Sequence, residues 1–336
     1  MVDKIKDSFS ILNVLIVKIM LHKLEIANFV LENEKRKADV SLFYQVFGKP
    51  IGNAPVILIN HALTGNSNVS GENGWWKNVI DYDHIIDLHQ YTVIAFNIPG
   101  NNFQTENGLT SDYKEISTLD IAKLFWLGLE QLNVFSLYAV IGGSLGGGIS
   151  WEMAVLHPER IQKVIPIATH YFASDWVIAN VGVQDDILNY SQDPIAVARK
   201  HAMLLYRTPL SINQRFKNAK EGNIYTVNDW LSYHGILLTE RFSLNAYRQM
   251  NFLLGTINIV KNGFDLNRFL KENKIEVHAI NINSDLLFQN NLDEYETLHE
   301  NNTNFNHYII NSIHGHDAFL MEYQQLNEIL KQIFLN

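Results

Sequence analysis

The segment Val140-Ile141-Gly142-Gly143-Ser144-Leu145-Gly146-Gly147-Gly148 sets a serine between glycines two residues away on either side, the pattern G-x-S-x-G. A strand-like apolar run precedes it and a helical pattern follows. A serine on a sharp strand-to-helix turn takes a strained backbone, and side chains two residues away would collide there; glycine removes the collision. The hydroxyl then stands clear of the sheet at a helix N-terminus, where the Leu145 N–H can help stabilise an oxyanion. Such a serine becomes a nucleophile when a base takes its proton and a carboxylate orients that base. The chain order serine, acid, histidine points to Asp285 in Asn283-Ser284-Asp285-Leu286-Leu287 and to His316 in Gly315-His316-Asp317-Ala318-Phe319-Leu320, each just past a strand-like run. His314 is a rival base, and a turn residue is the plainer role for Asp285. The short H-x-H spacing of His314 and His316, without other paired ligands, argues against a metal site with Asp317, and no metal is expected. The second oxyanion donor should come from the loop Asn60-His61-Ala62-Leu63-Thr64-Gly65, with the Leu63 N–H as candidate and His61 as a structural residue. Neither G-x-G-x-x-G nor G-x-x-x-x-G-K-[ST] fits the glycine run, so a phosphate cradle is not indicated.

These residues need a scaffold that delivers three distant segments to one place. Short apolar runs at Val56–Ile59, Tyr91–Phe96, Leu137–Ile141, Lys163–Ala168, Ile275–Ile282 and His307–Ile310 read as buried strands of a parallel sheet. Pro166 is awkward for a central strand. Ile116–Leu132 and Leu145–Leu156 have helical periodicity, and strands alternating with helices imply a parallel sheet covered on both faces. The alternation stops near His170 and resumes near Ile275. The reading is therefore an α/β-hydrolase fold with a mostly parallel central sheet: core at 23–170 and 272–336, a helical cap inserted at 171–271, and an N-terminal extension at 1–22.

Taken together, these segments resemble the homoserine O-acetyltransferase family, acyltransferases on the α/β-hydrolase fold. The resemblance rests on His61-Ala62-Leu63-Thr64-Gly65-Asn66, Gly74-Trp75-Trp76, the elbow with Trp151-Glu152 after it, Ser284-Asp285-Leu286-Leu287 and Gly315-His316-Asp317-Ala318-Phe319-Leu320, and it runs from about residue 24 to the end. It implies acetylation of the serine by acetyl-CoA as co-substrate, then transfer to the hydroxyl of homoserine, in methionine biosynthesis, with no permanently bound cofactor. It also implies a cap arginine for the acceptor's carboxylate with a tyrosine seven residues later, here Arg199 and Tyr206, and an aspartate for its ammonium, here Asp317. A homodimer is implied by the family alone. The chain departs from the pattern in three places. A Gln-Arg pair of the cap is Gln184-Asp185, the stretch between Asp193-Pro194 and Ala198-Arg199 is shorter, and the loop after Pro99-Gly100 reads Asn101-Asn102-Phe103-Gln104-Thr105. The acceptor pocket and the CoA channel are where these changes bear. Carboxyl ester hydrolysis uses the same three residues with water as acceptor, and a non-catalytic binding protein on this fold would be expected to have lost one of them.

Composition narrows the classes further. With 26 basic and 35 acidic residues, a net charge of −9 argues against a nucleic-acid binder. The absence of cysteine removes disulfides, thiolate nucleophiles and Cys-ligated metal sites, and fits a reducing, cytoplasmic setting. No apolar stretch reaches bilayer length, so no membrane partner is expected. The run Ile11–Leu21 resembles a weak signal core, but Asn13 and Lys18 interrupt it and no A-x-A site follows; a packed helix or an extension is the plainer reading.

Overall fold

The computed structural model describes residues 20–34, 37–103, 112–289 and 292–335. Most of the apolar run at 11–21, and part of the loop from Asn101 to Thr105, lie outside them. Eight strands form one sheet: β1 His22–Val30, β2 Lys37–Gly48, β3 Val56–Asn60, β6 Thr92–Phe96, β7 Leu137–Gly143, β8 Ile161–Ile167, β11 Glu276–Ile282 and β12 Phe305–Ile310, in the order β1-β2-β6-β3-β7-β8-β11-β12. The short strands β4 Ile80–Asp81 and β5 Ile86–Asp87 pair separately in the connection between β3 and β6. β1, β2 and β6 pair antiparallel, and every pairing from β6 to β12 is parallel.

The parallel strands are buried on both faces, which is why their sequences are continuous apolar runs. Along β3, Leu58 enters the core under α1 (Thr118–Gln131) and α2 (Leu145–Leu156), while Ile57 and Ile59 enter the opposite core with α10 (Tyr323–Leu335). α1 begins at a capping box between Ser117 and Asp120. Pro166 sits inside β8 all the same. It pairs with Gly142 of β7, while the ladder from β8 to β11 skips Ile165 and Pro166, so the missing N–H falls at a break in pairing.

Between β8 and β11 the chain leaves the sheet and builds α3 (Asp175–Tyr190), α4 (Pro194–Tyr206), α5 (Pro209–Phe216), a small hairpin of β9 (Lys220–Glu221) and β10 (Ile224–Tyr225), α6 (Thr226–Arg241) and α7 (Leu244–Leu254). α4 packs on α6, and α3 packs on α4 and α7. At the base of these helices Phe172 bridges to Asn258. The following α8 (Leu266–Glu272) belongs to the sheet layer, because Asn302 and Asn304, at the end of α9 (Leu292–Asn301) and just beyond it, bond to Asn267 and to the Leu270 carbonyl. Buried Glu152 of α2 fastens that bridge: it accepts from the Asn258 N–H at 3.2 Å and from the Thr118 hydroxyl at 3.3 Å, and burial pushes its carboxyl up to about 7. No helix among the described residues is long and apolar enough to cross a membrane.

Candidate active site

Ser144 follows β7 with φ 55° and ψ −122°, a backbone that ordinary residues avoid and that active-site turns tolerate when the surroundings fix it. Its N–H is held by the Ile167 carbonyl at 2.8 Å. A Cβ on Gly142 would fall 2.1 Å from the Gly146 carbonyl oxygen, and one on Gly146 would fall 2.1 Å from that of Asn60. The two glycines of the motif are therefore fixed by backbone contacts, and the strained turn projects the hydroxyl outward.

Asp285 and His316 arrive from the carboxyl ends of β11 and β12, the sheet edge at which open α/β folds assemble their sites. His316 Nδ1 lies 2.7 Å from Asp285 Oδ2, and His316 Nε2 lies 2.9 Å from Ser144 Oγ. All three side chains are buried. Asp285 is aimed by its other oxygen, which accepts from the Leu287 N–H at 2.8 Å and the Phe288 N–H at 3.0 Å. The acid and histidine loops are joined directly, since the Gly315 N–H donates to Ser284 Oγ at 3.1 Å. Burial by itself would depress His316; the adjoining Asp285 carboxylate outweighs it and raises the imidazole above its ordinary value. Tyr206, Phe288 and Phe319 surround the ring, with centroids 5.5 to 5.8 Å away. This geometry lets an imidazole take a proton from the serine hydroxyl while the carboxylate stabilises the resulting cation.

Leu145 is the first residue of α2, so its N–H has no intrahelical partner. Leu63 is buried in the loop after β3, inside a turn closed by the Gly65 N–H on the Ala62 carbonyl at 2.8 Å. His61 anchors that loop. Its Nδ1 is 2.8 Å from the Ala62 carbonyl and its Nε2 accepts from the Ile98 N–H at 2.9 Å, which fixes the neutral tautomer; burial holds it down at about 4. From the cap, Arg241 donates to the Thr64 carbonyl at 2.9 Å.

The other candidates separate. His314 points away from the serine: its Nδ1 lies 2.9 Å from Ser211 Oγ, and Arg207 approaches it at 3.4 Å. His314 and Asp317 both lie against Arg207, whereas His316 faces Asp285 and Ser144. Among the described residues, Asp83, Asp87 and His89 are spaced to hold a cation, on the turn around β5, but the Asp87 carboxylate is already engaged by the Asp83 and His89 N–H groups and by Gln90. Arg199 and Tyr206 share one face of α4, with the guanidinium 5.4 Å from the ring centroid, and Tyr206 places that pair beside His316. Burial raises the Tyr206 hydroxyl, with Arg199 opposing the shift. Asp317 is already partnered, since Arg207 Nε lies 3.0 Å from its Oδ2 in a half-buried ion pair. Asp185, which follows Gln184, accepts from Tyr113 at 2.6 Å and from Lys114 at 2.9 Å. Sequence reasoning passed over Arg207 and Lys114, which belong to no spacing pattern and take their places only from how the cap sits on the core.

Against known proteins, a family model described as the alpha/beta hydrolase fold matches residues 55–250. Together with the serine elbow and its histidine and aspartate, it places the chain in that class. Homoserine O-acetyltransferase of Cyclobacterium marinum is 30% identical over 307 residues, 83% of this chain and 85% of that protein. The chain therefore belongs to the homoserine O-acetyltransferase family, a family of acyltransferases. The crystal structure of homoserine O-acetyltransferase from Bacillus anthracis superposes with a TM-score of 0.83 at 19% identity, covering 95% of this chain and 98% of that one. An acetylester hydrolase from Corynebacterium glutamicum superposes with a TM-score of 0.76 at 18% identity, over 94% of this chain and 96% of that one. The fold is thus common to both reactions, and the acceptor site must separate them.

Proposed function

We propose that this protein is a homoserine O-acetyltransferase that works by double displacement, with acetyl-CoA as donor and no resident cofactor. Ser144 Oγ attacks the thioester carbonyl as His316 takes its proton, and the Leu63 and Leu145 N–H groups receive the oxyanion. CoA leaves as the thiol with the proton returned by His316. The homoserine hydroxyl then enters, gives its proton to His316, attacks the acetyl-serine and departs as the O-acetyl ester, leaving Ser144 free. Asp285 keeps the imidazole in the tautomer that both stages need. Arg199 and Tyr206 hold the acceptor's carboxylate, for which a guanidinium is suited by paired N–H donors. Asp317 can take an ammonium only if its pair with Arg207 opens. The product supplies methionine biosynthesis, and a cytoplasmic homodimer fits that role.

One observation carries this reading over hydrolysis: the Ser144–His316–Asp285 relay faces an arginine–tyrosine pair under a cap, in a chain 30% identical to an enzyme named for this transfer. A transferase needs such a pair to place an alcohol where water would otherwise act. Purified protein mixed with acetyl-CoA is expected to release CoA continuously only when homoserine is present. CoA release indifferent to homoserine, together with cleavage of simple esters, would make the protein a hydrolase.

A further inference from the structure

Residues 286–289, which follow Asp285, belong to no helix or strand, yet they bring Asp285 Oδ1 its two N–H donors and set Phe288 against the His316 ring. Two carbonyls of this stretch are held by side chains from elsewhere in the chain. The Leu286 carbonyl accepts from the Trp176 indole N–H at 2.6 Å, and Trp176 lies in the first turn of α3, in the cap. The Gln289 carbonyl lies 2.8 Å from His170 Nε2, just past the end of β8. His170 is 7% exposed and burial lowers its imidazole, opposed by the bond to Gln289 and by Glu294 and Asp285, so the neutral ring is favoured. A carbonyl only accepts, so Nε2 carries the proton and Nδ1 is the acceptor. Nδ1 faces the hydroxyl of buried Tyr295, on α9, at 3.4 Å. Tyr171 and His307 are the other titratable groups beside the ring.

The placement of this loop matters because His316 answers to Asp285. Burial alone would lower His316, and the carboxylate reverses that only while its Oδ2 stays in hydrogen-bond contact with Nδ1. On the near side Asp285 is tied to β11 by its own N–H on the Ile282 carbonyl at 3.2 Å. On the far side the loop is tied by Trp176 from the cap and by His170 from the end of a central strand. We infer that His170 and Trp176 are positioning residues: by holding the Gln289 and Leu286 carbonyls they keep the Asp285 carboxylate on His316, and through Trp176 the seating of the cap bears on the base. Both act through Asp285 rather than on the reacting atoms. The inference rests on the serine–histidine–aspartate relay of the reading above and is independent of which acceptor takes the acyl group.

The test titrates His316 directly, by NMR of the histidine rings, with its signal assigned by its loss in His316→Asn. In the unsubstituted protein it should titrate above 6.5. His170→Phe and Trp176→Phe each keep a ring and remove the donor, and each should lower that titration by about one pH unit or more. The acid limb of kcat/KM for acetyl transfer to homoserine should move with it. In the same variants kcat should fall about tenfold or more while KM stays within about twofold. His170→Gln, whose amide can still donate to the carbonyl, should titrate near the unsubstituted value. A titration unmoved in both ring variants, even with a lowered Tm, would overturn the assignment, as would a His170→Gln titration lowered as far as that of His170→Phe. The titration needs no acceptor, so a failure to transfer to homoserine would count against the acyl-transfer reading alone.

Discussion

At the scale of single residues, the proposed reaction depends on an imidazole kept basic in a buried site. Two opposed effects act on His316: burial, which lowers it, and Asp285, which raises it and prevails. The base must be neutral to accept the serine proton, so the acid limb of kcat/KM should lie above the ordinary histidine value of 6.5. Removing the carboxylate charge reverses the balance. Asp285→Asn should move that limb to lower pH and cut kcat by about three to four orders of magnitude through loss of the correct tautomer. A pH–rate profile with the limb unmoved, or moved upward, would mean that Asp285 does not govern His316. The three residues were legible in the sequence because each has a local cause: steric exclusion at Gly142 and Gly146 marks the serine, and strand ends mark the other two. The Arg207–Asp317 pair was not legible in that way, because its two members lie 110 residues apart and meet only where the cap sits on the core.

At the scale of elements, the sheet was readable and the cap was readable only as helices. Buried parallel strands announce themselves as apolar runs, and even the awkward Pro166 falls where a ladder is interrupted. A helical pattern alone does not say whether a helix such as α8 packs on the cap or on the sheet; that is settled by its bonds to Asn302 and Asn304. The cap also leaves a face uncovered. On α6 only Gly235 and Leu238 are buried, while Tyr233 and Ile236 are each 58% exposed; Leu237 beside them, and Val197 and Leu204 on the adjoining α4, are exposed as well. Residues three and four apart share one side of a helix, so Tyr233, Ile236 and Leu237 form a contiguous apolar stripe of the kind that marks an interface. We propose that this stripe is where a second copy of the chain packs. Light scattering should give about twice the chain mass for the unsubstituted protein, and Ile236→Asp combined with Tyr233→Asp should give the monomer mass. A monomeric unsubstituted protein, or a dimer indifferent to both changes, would contradict it.

For the whole molecule, the sheet and cap divide the labour. In the proposed reaction the sheet edge fixes Ser144, Asp285 and His316, with backbone contacts at Ser144 and Asp285, and the cap would supply the groups that recognise an acceptor. A catalyst of transfer differs from one of hydrolysis mainly in that second layer, which is why neighbours of both kinds share this fold. The proposed mechanism requires a covalent intermediate at a single hydroxyl, and intact-protein mass spectrometry can see it. After brief mixing with acetyl-CoA alone, the protein should gain the mass of one acetyl group, located on the peptide that carries Ser144, and homoserine should remove it with formation of the acetylated amino acid. An adduct that persists in Ser144→Ala, or steady turnover with homoserine and no adduct at any time, would contradict the account.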